Sequence, residues 1–146
     1  MGPELPPRYR VPIASEVGWI AFSGMSHMGK DVGREPARDP LDLERLLVSR
    51  QRAGNVDGMV ALYEPQAVID SGDGRLTLGT EAIRAFFAEL VATGRKFEIG
   101  DQRPAILSGD LALTSTRCSD GSVTAEVSRR QGDGTWLWVI DKFSMT

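Results

Sequence analysis

The apolar residues of this chain change period once, near residue 95, and that switch constrains the fold more than any other feature. From 39 to 94 they recur every three or four positions, the spacing that gathers side chains on one helical face. Leu43, Leu46 and Leu47 make one such stripe; Val56, Met59, Val60 and Tyr63 a second; Ile83, Phe86, Phe87, Leu90 and Val91 a third. Beyond 95 the period is two, as in a half-buried strand: Phe97/Ile99, Leu111/Leu113, Val123/Ala125/Val127, then Trp136 to Phe143. Turn signals at Gly109-Asp110, Asp120-Gly121 and Gly132-Asp133-Gly134 separate these runs and predict an antiparallel meander. Helices first and strands after predict an α+β architecture, three helices on one side of a curved antiparallel sheet.

Punctuation residues set the expected boundaries. Asp39 caps the first helix, with Pro40 at its first position, where a missing N–H costs nothing. Gly54 ends it, Asn55 caps the second helix and Pro65 stops that one. Gln66 to Asp70 reads as a short strand closed by the turn Ser71 to Gly74, and Thr80 to Gly94 brackets the third helix. The last strand is apolar on both faces, so one face meets the helices and the other calls for a partner subunit.

Composition narrows the chemistry. The 146 residues suit one domain, expected over 39–146, behind an N-terminal extension, 1–38, that is either a loose leader or a docking segment. A formal charge of −3 supplies no basic field for nucleic acid. One histidine, His27, and one cysteine, Cys118, predict no metal site and no disulfide. The apolar run 17–25 is too short to span a bilayer and lacks a cleavage pattern, so the expected location is cytoplasmic, without a membrane partner.

Four segments in order, Gly54-Asn-Val-Asp-Gly58 with Met59 to Tyr63, Ala67 to Asp70, Gly79 to Phe86, and Arg129 to Trp136 with Val139 to Asp141, form a recurring pattern. It resembles that of the SnoaL-like and ketosteroid-isomerase-like members of the nuclear-transport-factor-2-like superfamily. The resemblance implies a cone-shaped bent sheet with a cystatin-like roll, three helices closing an apolar pocket, and a homodimer through the outer sheet face. Its members include isomerases, polyketide cyclases, dehydratases, epoxide hydrolases and inert assembly modules, so activity has to come from the site.

Carried over residue by residue, the isomerase pattern places its oxyanion tyrosine at Leu47 and its catalytic aspartate at Ser71, with Asp70 one place earlier. Tyr63 matches a pocket tyrosine, Phe87 stands where another tyrosine occurs, and Glu126 matches the second oxyanion acid. If Asp120-Gly121 is a two-residue hairpin, Ser115 pairs with Glu126 and Arg117 with Thr124, so Arg117 and Glu126 share a face. That face is either the pocket, with Arg117 holding Glu126 ionised, or a solvated surface. Alternation puts Trp136, Trp138 and Ile140 on one face of the last strand and Leu137, Val139 and Asp141 on the other. The candidate bases are Glu126 and Asp70; the candidate pocket residues are Tyr63, Ser71, Phe87, Arg117 and Trp138. The expected function is binding of a small, largely apolar organic molecule, with cofactor-independent acid–base chemistry of the isomerase or cyclase type. The alternative is a non-catalytic ligand-binding or dimeric assembly module.

Overall fold

A computed structural model describes residues 34–145; the expectations for the leader, His27 included, lie almost entirely outside them. Helix α1 (Asp42–Arg52) has Leu41 at its N-cap with no side-chain cap bond, so it starts later than the expected Asp39 cap and Pro40 first position, and two carboxylates brace the turn before it. The Asp39 Oδ1 accepts the Leu41 N–H at 2.9 Å, and the Asp42 Oδ2 accepts the N–H groups of Arg38 and Asp39, each at 3.1 Å. Its Leu43, Leu46 and Leu47 are fully buried. Gly54, at φ +69°, ends the turn, and helix α2 (Val56–Val60) begins at Asn55, whose Oδ1 accepts the Gly58 N–H at 2.9 Å.

Strand β1 (Tyr63–Asp70) takes over Tyr63 and Pro65, which the helical spacing assigned to α2 and its stop. The chain leaves the helix at Ala61, and the Leu62 carbonyl accepts the Trp138 N–H at 2.8 Å, so sheet pairing overrides the local period. Pro65 is tolerated because it lies where pairing with the last strand is irregular, between Tyr63 and Val68. After β2 (Leu76–Leu78), helix α3 (Gly79–Ala92) starts one residue ahead of Thr80. The Thr80 hydroxyl donates to the Pro65 carbonyl at 3.5 Å instead of capping the helix.

The second half consists of β3 (Asp101–Gln102), β4 (Ile106–Ser108), β5 (Leu111–Thr114), β6 (Thr116–Arg117), β7 (Ala125–Arg130) and β8 (Trp136–Lys142). One sheet runs β2-β1-β8-β7-β5-β4 and a small one pairs β3 with β6. The sheet is curved and open, and among the described residues its pairings are antiparallel except β1 with β8, which is parallel. The strand expected at Phe97/Ile99 is absent. Phe97 is a buried anchor, its N–H donated to the Gln51 Oε1 at 2.7 Å and its carbonyl accepting the Arg52 Nε–H at 2.8 Å, so this segment is fastened to α1. Among the described residues, three helices thus cover one sheet face, and the core closes between Leu43, Leu46, Leu47, Met59, Ile83 and Phe87 on the helices and Ala67, Ile69, Trp138 and Phe143 near the sheet. Among the described residues, no helix is long and apolar enough to cross a membrane.

Two consequences of this packing can be measured. A Cβ on Gly58 would stand 2.7 Å from the Asn55 Cγ and 3.0 Å from the Arg50 Cδ. Gly58→Ala gains up to ~1 kcal/mol of helix propensity but pushes Asn55 off its cap and against a buried arginine. We expect net destabilisation of about 1–2 kcal/mol by urea unfolding. At the far end of β1, the Lys142 Nζ donates to the Asp70 Oδ2 at 2.7 Å, and the Gly72 N–H donates to the Oδ1 at 2.9 Å. Lys142 first, and then the Gly72 amide, hold the Asp70 carboxyl below the usual carboxylate range. A lowered pKa stabilises the fold above that range and loses the effect as pH falls through it. The stability gap between wild type and Asp70→Asn, under ~1 kcal/mol for this partly exposed pair, is therefore expected at neutral pH and should close in acid.

Candidate active site

Two single-residue departures from ideal pairing decide which side chains meet. The β6–β7 hairpin turns through three residues, Ser119, Asp120 and Gly121: the Cys118 N–H donates to the Ser122 carbonyl at 2.8 Å, and Gly121 takes φ +88°. The Asp120 Oδ1 accepts both the Ser122 N–H at 3.0 Å and its hydroxyl at 2.7 Å, which holds the turn. The expected register is thereby displaced by one residue, so Thr114 faces Glu126 and Arg117 faces Val123. The second departure is a bulge in β8. Val127 pairs with Ile140 but Ser128 with Trp138, leaving Val139 extra, and Asp141 turns onto the same face as Trp138.

Two cross-strand rows then line the covered face. One runs Ala112, Ser128, Trp138, Tyr63; the other runs Thr114, Glu126, Asp141, Ile69. All eight are buried, Glu126 to 2% exposure and Asp141 to 0%. The Tyr63 hydroxyl donates to the Asp141 Oδ2 at 2.6 Å, and the Thr114 hydroxyl to the Glu126 Oε2 at 3.1 Å. Glu126 and Asp141 lie directly opposite each other on neighbouring strands, where Cβ atoms stand about 4.5–5.5 Å apart. The Tyr63 ring packs 5.1 Å from Trp138 and 5.7 Å from Phe87, centroid to centroid. Phe86 extends this aromatic wall to Phe143 at 5.8 Å. Among the described residues, the Ser128 Oγ and Trp138 Nε1 are buried with no hydrogen-bond partner. A buried polar atom left so costs about 1–3 kcal/mol.

The expected site residues sort by these rows. Glu126, Tyr63, Phe87 and Trp138 come together. Asp141, read from alternation as lying on the face away from Trp138, joins them because of the bulge. Ser71 is buried at the end of β1, its hydroxyl donating to the Asp73 Oδ1 at 3.0 Å, outside both rows. Asp70 lies on the other sheet face, paired with Lys142. Arg117 is exposed and pairs with Asp101 and Val123, so neither expected version of an Arg117–Glu126 pair forms. Leu47 is a core residue. Among the described residues, no three His, Cys, Asp or Glu side chains gather as metal ligands. The arrangement offers a phenol, two neighbouring carboxyls and two spare polar atoms on an aromatic wall, enough to hold an oxygen and to move a proton.

Comparison with known proteins agrees with this architecture. A solved structure from Novosphingobium aromaticivorans, an NTF2-like protein with a cystatin-like fold, superposes with a TM-score of 0.54 at 17% identity, covering 88% of each chain. A Thiobacillus denitrificans structure, provisionally described as a calcium/calmodulin-dependent protein kinase type II association domain, gives 0.60 at 18% identity, covering 73% of this chain and 93% of that one. A ketosteroid isomerase-like protein from Erwinia carotovora atroseptica gives 0.53 at 12% identity, covering 66% and 85%. At such identities these likenesses establish the fold alone. No curated protein matches the chain. The SnoaL-like domain family matches residues 44–146, from the first helix through the last strand, and the chain belongs to that family.

Proposed function

We propose that this protein binds a small, largely apolar organic molecule against the covered sheet face and performs cofactor-independent acid–base chemistry of the isomerase or cyclase type. The hydrogen bond from Tyr63 to Asp141, with Glu126 directly opposite, carries this reading. Two neighbouring carboxyls and a phenol on one buried wall are the groups such chemistry uses: a carboxylate takes the proton and a hydroxyl donates to the developing oxyanion. The base removes a proton from carbon next to a carbonyl; the electron pair moves onto the carbonyl oxygen. The Tyr63 hydroxyl turns from Asp141 and donates to that oxygen, and the proton held by the base returns to the same or a conjugated carbon. Both carboxyls already accept a hydroxyl; Asp141 is assigned as the partner of the phenol, and Glu126, opposite it on the neighbouring strand, as the base. The ketosteroid isomerase-like relative supports this class of reaction. Steroid isomerisation, in which a phenol and a neutral carboxylic acid both donate to one oxyanion, supplies the chemical precedent.

A specific observation also supports an assembly role. On the opposite sheet face Leu78, Val68, Ile140, Val127, Leu113 and Ile106 are register partners in one row across all six strands. Ile106, Leu78, Ile140 and Leu113 are 66%, 60%, 46% and 45% exposed. An apolar band of this kind fits a second copy of the chain. In the alternative function this dimer, holding a ligand without turning it over, is the product of the fold.

The readings part in one experiment. A β,γ-unsaturated cyclic ketone incubated with the protein in deuterium oxide should exchange its α-protons faster than in buffer, followed by proton NMR. Glu126→Gln should slow exchange by about 10²–10⁴-fold, the usual worth of a general base. Ketone binding with exchange at the buffer rate would leave the non-catalytic reading standing. For the dimer, light scattering should give twice the chain mass for wild type and the single chain mass for Val127→Glu, which puts a charge in the middle of the band. A wild-type monomer at micromolar concentration would rule it out.

A further inference from the structure

A separate cleft of about 720 Å³ lies between the segment at 34–37, helix α2 and the start of β8, and no residue of the two inner rows lines it. Leu62, Trp136 and Leu137 form its apolar wall and Arg50 stands in its lining. Arg50 is 3% exposed. A guanidinium has five N–H donors. Here the Nη1 donates to the Gly58 carbonyl at 2.8 Å, the Nη2 donates to the Glu35 carbonyl, and the buried Nε has no partner among the described residues.

The nearby acids are bound by other arginines, although the Glu35 charge still favours the Arg50 cation. The Glu35 carboxylate is bound by Arg45 at 3.2 Å, and the Asp57 carboxylate by Arg84. Among the described residues, no carboxylate comes within ion-pair distance of Arg50. Burial accordingly pushes its guanidinium below the usual value. A buried cation whose hydrogen bonds, among the described residues, go to carbonyl oxygens alone is an expensive arrangement for a fold to keep, and an added anion relieves it. The two carbonyls fix the planar fork in place, so little side-chain freedom is lost when a carboxylate arrives.

We propose that this cleft is a second binding site, for a small organic acid whose carboxylate pairs with Arg50 and whose apolar body lies along Leu62, Trp136 and Leu137. Its volume falls within the ~300–1,000 Å³ usual for small-molecule sites. The site does not depend on the chemistry proposed for Glu126 and Asp141.

Trp136 and Trp138, two residues apart on one strand, separate the two sites: Trp136 lines the cleft and Trp138 the inner wall. The test titrates phenylacetate, and in parallel its neutral isostere phenylacetamide, into the full-length ¹⁵N-labelled chain. Phenylacetate should shift the Arg50 Nε–Hε and Trp136 indole signals, with the amide about tenfold weaker or more. Arg50→Lys should weaken phenylacetate about tenfold, because a lysine cannot reproduce the fork. Arg50 also staples two backbone segments, so a second variant guards against loss of fold. Ala61→Trp, an exposed position on the cleft lining, should block phenylacetate while leaving Arg50 in place. Equal response to acid and amide, shifts confined to Trp138, or undiminished binding by Ala61→Trp would each overturn the proposal.

Discussion

Val139, the extra residue in β8, is the constraint on which the interior depends. Strand side chains alternate strictly, so one inserted residue moves everything beyond it to the other face. Without the bulge, Trp138 and Asp141 would lie on opposite faces; with it, both lie under the helices and Tyr63 reaches the carboxyl. The same inserted residue carries Ile140 outward into the apolar row. A single backbone irregularity therefore builds the polar interior and completes the band on the outer face.

The interior is costly in a way that a purely structural core avoids. Leu and Phe would pack the same volume with no polar side-chain group to satisfy, whereas Glu126, Asp141, Thr114 and Thr124 must each be hydrogen-bonded to stay buried. The Tyr63–Asp141 and Thr114–Glu126 bonds do that for the acids, and the Thr124 Oγ1 accepts the Thr116 N–H at 3.1 Å. Arg50 makes the same point at the other end of the sheet, where a cation is buried against carbonyl oxygens. Polar groups are thus kept buried at two separate points, each at a cost that hydrogen bonding within the fold offsets.

Much of the scaffold was legible in the residues. The helix stripes, the cap at Asn55, the stop at Gly54 and the α+β order are consequences of local backbone and side-chain chemistry. The motif around Gly58 was also readable, although its reason was not: the glycine is needed because the Asn55 cap and Arg50 fill the space its Cβ would take. Tyr63 and Pro65 were misassigned because a four-residue spacing from Met59 mimics a helix, and only the pairing with β8 shows which period wins. Of the candidate site, Glu126, Tyr63, Phe87 and Trp138 gather on the covered face, while Arg117 and Asp70 lie away from it.

The sequence by itself determined the elements, the helix-bearing side and the poverty of soft ligands in the body, because these follow from composition and from contacts a few residues long. Only the tertiary structure decided which face each strand presents. Asp120-Gly121 is compatible with a two- or a three-residue turn, and nothing in Trp138-Val-Ile-Asp141 declares a bulge. Each choice is made by packing across strands far apart in the chain, and each reverses the face of every residue that follows. That is why Asp141 entered the site and Arg117 left it.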